Sequence, residues 1–134
     1  MEMTVEAFAV HPQDGVGHAP KRSSTRPVDL VHLARYTLGD NMIEREVLGL
    51  FRRQSQLFLQ RLNEAVSDTA WRQAAHTIKD SALGIGAWRI AKTAEYAEAL
   101  EGGALSERHR WVIQDLEQRI EEANGFIGSL LADA

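Results

Sequence analysis

From residue 28 onward the apolar residues recur at intervals of three and four, and no segment alternates apolar with polar as a half-buried strand would. The same stretch contains no proline; Pro12, Pro20 and Pro27 all precede it. The pattern predicts five helices. The first spans 28–37, with Asp29 as its cap and Leu30, Leu33 and Ala34 on one face. Gly39-Asp40 interrupts it, and Asp40 can cap a second helix over 41–64. On that helix Ile43, Val47, Leu50, Phe51, Gln54, Leu57, Phe58, Arg61 and Leu62 follow three-four spacing and are mostly apolar. Ser67-Asp68 opens a third helix over 68–85, closed by Gly84 and Gly86. The fourth covers 87–101, turns Ile90, Ala94, Ala97 and Leu100 inward, and stops at Gly102-Gly103. The fifth starts near Ser106 and carries a seam of Ile113, Leu116, Ile120, Ala123, Ile127 and Leu130, with Gly125 and Gly128 weakening its last turns.

Long amphipathic helices joined by short loops imply an all-α fold, an antiparallel up-down four-helix bundle with a short extra N-terminal helix, over residues 28–134. Residues 1–27 read differently. They hold the three prolines, the polar run Lys21 to Arg26 and one apolar patch at 5–10, and are expected to form a flexible leader.

Composition narrows the function by exclusion. A chain of 134 residues suits one domain, and 44% hydrophobic with 25% charged residues is ordinary for a globular protein. There is no cysteine, hence no thiolate nucleophile and no cysteine metal site. No run is long and apolar enough to span a bilayer, and no secretory signal opens the chain, so a cytoplasmic location is expected. The net charge of −4 argues against nucleic-acid binding, and Lys21-Arg22 and Arg52-Arg53 read as solvated surface. No GxSxG, GxxxxGK[ST] or GxGxxG motif occurs. The glycines of GIGA at 84–87 lie between two helices and form a turn.

One residue stands out on the third helix. With about 100° per residue and His76 set at 0°, Ala74, Ile78, Ile85, Trp71 and Ala82 fall on the opposite, core side. Thr69, Arg72, Gln73, Lys79, Asp80 and Leu83 cluster around the histidine, so the imidazole faces solvent mid-helix. Exposure alone fits an incidental surface histidine. Asp80 at i+4 would be a lone partner for a metal, with no second histidine within a turn, so no metal site is expected. His32 and His109 read as bundle or surface residues, and His11 and His18 lack partners at metal spacing.

The residues around His76 resemble the histidine-containing phosphotransfer (HPt) domains of two-component phosphorelays. Those carry H-x-x-K-G-[SA]-[SA] on an exposed helix, followed by a glycine-containing turn. This chain reads Ala75-His76-Thr77-Ile78-Lys79-Asp80-Ser81-Ala82, then Leu83-Gly84-Ile85-Gly86. Asp29-Leu30, Tyr36, Gly39-Asp40, Leu50-Phe51 and Gln54 look like the family's opening helices, and Arg89 to Glu101 like its next one. The resemblance covers roughly residues 28–131. It implies a phosphocarrier without its own kinase domain, with His76 as phosphoacceptor through Nε2 and Lys79 beside the phosphoryl group. Thr69, Arg72, Gln73, Asp80 and Leu83 would form the surface for a response-regulator receiver domain or a hybrid histidine kinase. It also implies no cofactor of its own, the Mg²⁺ coming from the receiver. A monomer is expected.

Asp80 departs from the family pattern, which has glycine there. Two unit charges about 6 Å apart in water interact by about 0.7 kcal/mol, a modest opposition that Lys79 offsets. The bulk of the aspartate at a docking surface is the larger concern. Two further readings stay open: a receiver- or kinase-binding module with little transfer, and a structural helical adaptor.

Overall fold

The computed structural model describes residues 26–101 and 106–132. The expected leader lies, up to residue 25, outside the described residues, as does the Gly102-Gly103 helix end. Among the described residues there are five helices and no strand. They are α1 (Leu30–Thr37), α2 (Asn41–Glu64), α3 (Asp68–Ile85), α4 (Trp88–Glu98) and α5 (Glu107–Ala132). None is long and apolar enough to cross a membrane.

Polar side chains set the starts of the first three helices. Asp29 accepts from the backbone N–H groups of Val31 and His32, Asp40 from those of Met42 and Ile43, and Ser67 from that of Ala70, each satisfying donors that a helix start leaves open. Helix α1 begins at Leu30 rather than 28. Val28 and Asp29 are buried, Asp29 with extended backbone, and the Asp29 N–H bonds the Gly86 carbonyl at 3.0 Å. Helix α4 stops at Glu98, three residues before the predicted end. The Ala97 carbonyl is taken by the Trp71 indole at 2.6 Å, and tightened bonds at Ala99 and Leu100 fold Leu100 back onto the core.

Helix α2 packs on α3, α3 on α4, α4 on α5, and α5 back on α2. Trp71, Leu62, Ile78, Ile90, Leu116, Ile120 and Ile127 fill the space between them. The inward residues expected on α3, α4 and α5 are buried, except that Leu130 is half-buried. On α2 the three-four ladder read from the sequence divides between core and solvent. Ile43, Leu50, Gln54, Leu57 and Arg61 face solvent, Val47 and Phe58 are half-buried, and the core takes Leu48, Phe51, Ser55, Leu59 and Leu62. Both sets follow three-four spacing, and contacts to α3 and α5 select the second. Ser55 is tolerated inside because its Oγ bonds the Arg52 carbonyl and accepts from Asn124 Nδ2.

The α1–α2 connection carries a local cost. Leu38, exposed, adopts left-handed backbone at φ 55°, followed by Gly39 at φ 77°. A non-glycine residue pays about 1 kcal/mol or more there. Leu38→Gly is expected to raise stability by about 0.5–1 kcal/mol in urea unfolding, net of the added freedom of the unfolded chain. A loss would mean that Leu38 contributes a contact its exposure hides.

His109 lies under Trp71, ring centroids 4.4 Å apart, with Nδ1 hydrogen-bonded to Ser106 Oγ. Burial lowers its pKa from the ordinary 6.5, against the opposing pull of Asp68. The unfolded chain therefore takes up this proton first as pH falls. Stability from this group is full above about 6.5 and is lost as pH falls through the folded value. The melting temperature is expected to fall as the pH drops below about 6.5, and His109→Gln to flatten that part of the profile. Parallel profiles would remove His109 as the source.

Candidate functional site

The site depends on how closely α3 and α4 approach. Ala75 and Ala82 on α3 and Ala91, Ala94 and Ala97 on α4 are buried, and side chains this small let two helices lie near each other. The bond from Trp71 to Ala97 fixes the register. Glu98 then lies level with the middle of α3.

His76 is exposed, its side chain 52% accessible, so a macromolecule can reach the ring. Both ring nitrogens meet carboxylates. Nδ1 is 2.9 Å from Glu98 Oε2, and Nε2 is 3.1 Å from Asp80 Oδ2 one turn along the helix. Lys79 pairs with the other Glu98 oxygen at 3.0 Å. Partial burial alone would raise the Glu98 pKa, but hydrogen bonds from Lys79 and His76, and their charges, outweigh it and hold the carboxyl below its usual 4.5. Glu98 is thus an anion fixed between two donors.

The two histidine contacts are not equivalent. Both can be hydrogen bonds only when both nitrogens carry protons. A neutral ring that gives Nδ1–H to Glu98 presents a lone pair at Nε2, and the Asp80 carboxylate then has no donor to face. With the proton on Nδ1, Glu98 holds the ring by a hydrogen bond and Asp80 faces the unprotonated nitrogen.

The other predicted residues divide. Arg72 and Gln73 are exposed and line, with His76, Thr77, Phe58 and Arg61, a cleft of about 820 Å³ between α2 and α3. Thr69 is exposed near the start of α3, outside that lining. Leu83 needs correction: it is half-buried and packs against the core, and its carbonyl accepts from His32 Nε2 at 2.9 Å. The wheel angle placed it beside His76, but α1 covers that end of α3. Lys79 engages Glu98.

Glu98 itself was missed. It lies 22 residues from His76 in a different helix. A signal existed: His76 and Glu98 are nearly equidistant from the turn at 86–87, so a hairpin of α3 and α4 brings them level. Among the described residues, no group of three or more His, Asp and Glu is arranged to hold a metal ion.

A helical bundle displaying an oriented imidazole is the architecture of a histidine phosphocarrier. The family model of the Hpt domain matches residues 46–125, more than half of the chain, and the chain belongs to this family. Hpt domains are phosphotransfer carriers of two-component signalling, not kinases, and work with receiver and kinase partners. No curated protein and no solved structure matches the chain.

Proposed function

We propose that His76 accepts a phosphoryl group from the phospho-aspartate of a receiver domain and passes it on by the reverse step. The observation that carries this reading is the exposed imidazole whose Nδ1 is held by Glu98. With its proton on Nδ1, the ring offers the Nε2 lone pair to phosphorus. The N–P bond forms as the acyl-phosphate P–O bond breaks, and the receiver's aspartate leaves as a carboxylate. The ring gains positive charge, which the Glu98 anion stabilises in place. Lys79 keeps Glu98 ionised and lies near the incoming phosphoryl oxygens. Mg²⁺, if needed, belongs to the receiver.

The partner's surface in this reading is the cleft beside His76, with Arg72, Gln73 and Thr69 on α3. The exposed ladder of Leu50 and Leu57 runs alongside it on α2. Asp80 must swing off Nε2 before transfer. Residues 28–134 form the phosphotransfer unit, a cytoplasmic monomer. We read its four longer helices as an antiparallel up-down bundle. The bond from Arg45, early in α2, to the Leu131 carbonyl, late in α5, supports this, as does that from Trp71, early in α3, to Ala97, late in α4. A second reading, receiver binding with little transfer, is favoured by one observation: the Asp80 carboxylate on Nε2.

The test is incubation with a phosphorylated receiver domain and Mg²⁺, followed by intact mass measurement. One added, acid-labile phosphoryl group is expected, absent in His76→Ala. Receiver binding without labelling of the natural chain, while Asp80→Ala is labelled, would establish the second reading. Neither binding nor labelling with any receiver would overturn both.

A further inference from the structure

The face formed by α4 and α5 presents a second surface that phosphotransfer does not use. Tyr96 and Trp111, both about half exposed, meet edge to face with ring centroids 6.1 Å apart. With Lys92, Thr93 and Arg108 they line a groove of about 430 Å³. Asp115, next to Thr93, is already engaged by the Thr93 hydroxyl at 2.8 Å and Arg119 at 3.0 Å. The lining is therefore aromatic and basic. It suits a segment that is apolar and acidic, since a buried aromatic supplies the contact area and cations at the rim select the charge.

The chain carries one such segment. Residues 1–10, MEMTVEAFAV, contain two glutamates and no lysine or arginine. Met1, Val5 and Phe8 follow three-four spacing, and Glu2 and Glu6 follow it one position on. Where the described chain begins also matters. Asp29 Oδ2 accepts from the Trp88 indole at 3.0 Å, and Lys92 and Tyr96 follow Trp88 at i+4 and i+8 along α4. The groove thus begins about 6–12 Å along the helix from where the chain joins the bundle. Residues 11–25 lie between; a flexible coil of fifteen residues has an r.m.s. span of roughly 20 Å, more than the distance to be bridged. A flexible tether that can span the distance gives an effective concentration on the order of millimolar, enough for a segment of weak affinity to dock.

We propose that residues 1–10 dock in the Tyr96–Trp111 groove of their own chain, with Phe8 against the aromatic pair and Glu2 and Glu6 toward Lys92 and Arg108. The groove is on the side of α4 away from Glu98, so docking leaves His76 open. This inference is independent of the phosphotransfer reading.

The chain has no cysteine, so Thr4→Cys provides a single site for a nitroxide label on the full-length protein. Amide spectra of the ¹⁵N-labelled chain, oxidised against reduced, are expected to show about twofold or greater loss of intensity at Lys92, Tyr96 and the Trp111 indole, with much smaller loss at Gln73 and His76. Phe8→Ser, or Lys92→Glu with Arg108→Glu, should restore the intensities without altering the melting of the bundle. Even broadening, broadening centred on the exposed ladder of α2, or broadening that survives the charge reversals would overturn the proposal. So would equal broadening when spin-labelled ¹⁴N chains are mixed with unlabelled ¹⁵N chains, which would put a second copy in the groove.

Discussion

Gly86→Ala is expected to cost the bundle about 2–5 kcal/mol, from about 1–2 for the left-handed backbone and 1–3 for overpacking. Gly86 stands at φ 74°, and a Cβ there would lie 2.7 Å from Asp29 Cβ, 3.0 Å from its carbonyl oxygen and 3.2 Å from its nitrogen. Two of those atoms are backbone, so the clash cannot be relieved by a rotamer. Asp29 cannot retreat easily either. It is buried, caps α1, bonds the Gly86 carbonyl through its N–H and accepts from Trp88. The expected readout is a fall in melting temperature on the order of 10–25 °C. Gly39→Ala is the control: Gly39 has φ 77°, but nothing lies within 4 Å of its added Cβ. It should lose only the backbone part, about 1–2 kcal/mol. Equal losses at the two positions would show that the Asp29 contact contributes nothing.

Asp80→Ala is expected to speed phosphorylation of His76 by a phosphorylated receiver about threefold to tenfold under single-turnover conditions. Asp80 Oδ2 lies 3.1 Å from Nε2 and must move aside before the lone pair can reach phosphorus; with the ring neutral it holds no hydrogen bond there, so what it costs transfer is the space it fills and its charge. The carboxylate also repels the incoming phosphoryl oxygens. Asp80→Asn separates the two effects, because it keeps the size and removes the charge. If Asn behaves like Ala, charge dominates; if it behaves like Asp, occupation of Nε2 dominates. A rate in Asp80→Ala equal to or below that of the natural chain would show that Asp80 does not obstruct transfer. Glu98 provides the opposite sign. It holds the other nitrogen, so Glu98→Gln should slow transfer while leaving receiver binding unchanged.

Helix existence and type could be read from the chain because they depend on local spacing and on caps. Asp29, Asp40 and Ser67 cap the helices they were expected to cap, and the outward face of α3 around His76 follows from 100° per residue alone. The same local logic failed on α2, where two apolar ladders share the three-four period. Only contact with α3 and α5 decides that Leu48, Phe51 and Leu59 go inside while Leu50 and Leu57 stay out. It failed at Leu83 as well, since angle on a helix does not reveal that another helix lies over that end.

The sequence by itself determined the helical class, the caps of the first three helices, the exposure of His76, and through the HxxK frame the family. These are properties of segments a few turns long, where hydrogen-bond partners and neighbours lie within four residues. Tertiary structure alone decided what His76 touches. Glu98 reaches Nδ1 only because buried alanines bring α4 against α3 and the Trp71 indole sets the register. Asp80 could be placed near the ring from the sequence, but its position on Nε2 rather than Nδ1 depends on Glu98 holding the opposite edge. The orientation of a side chain among competing partners is a property of packing between helices, and no periodicity along one of them contains it.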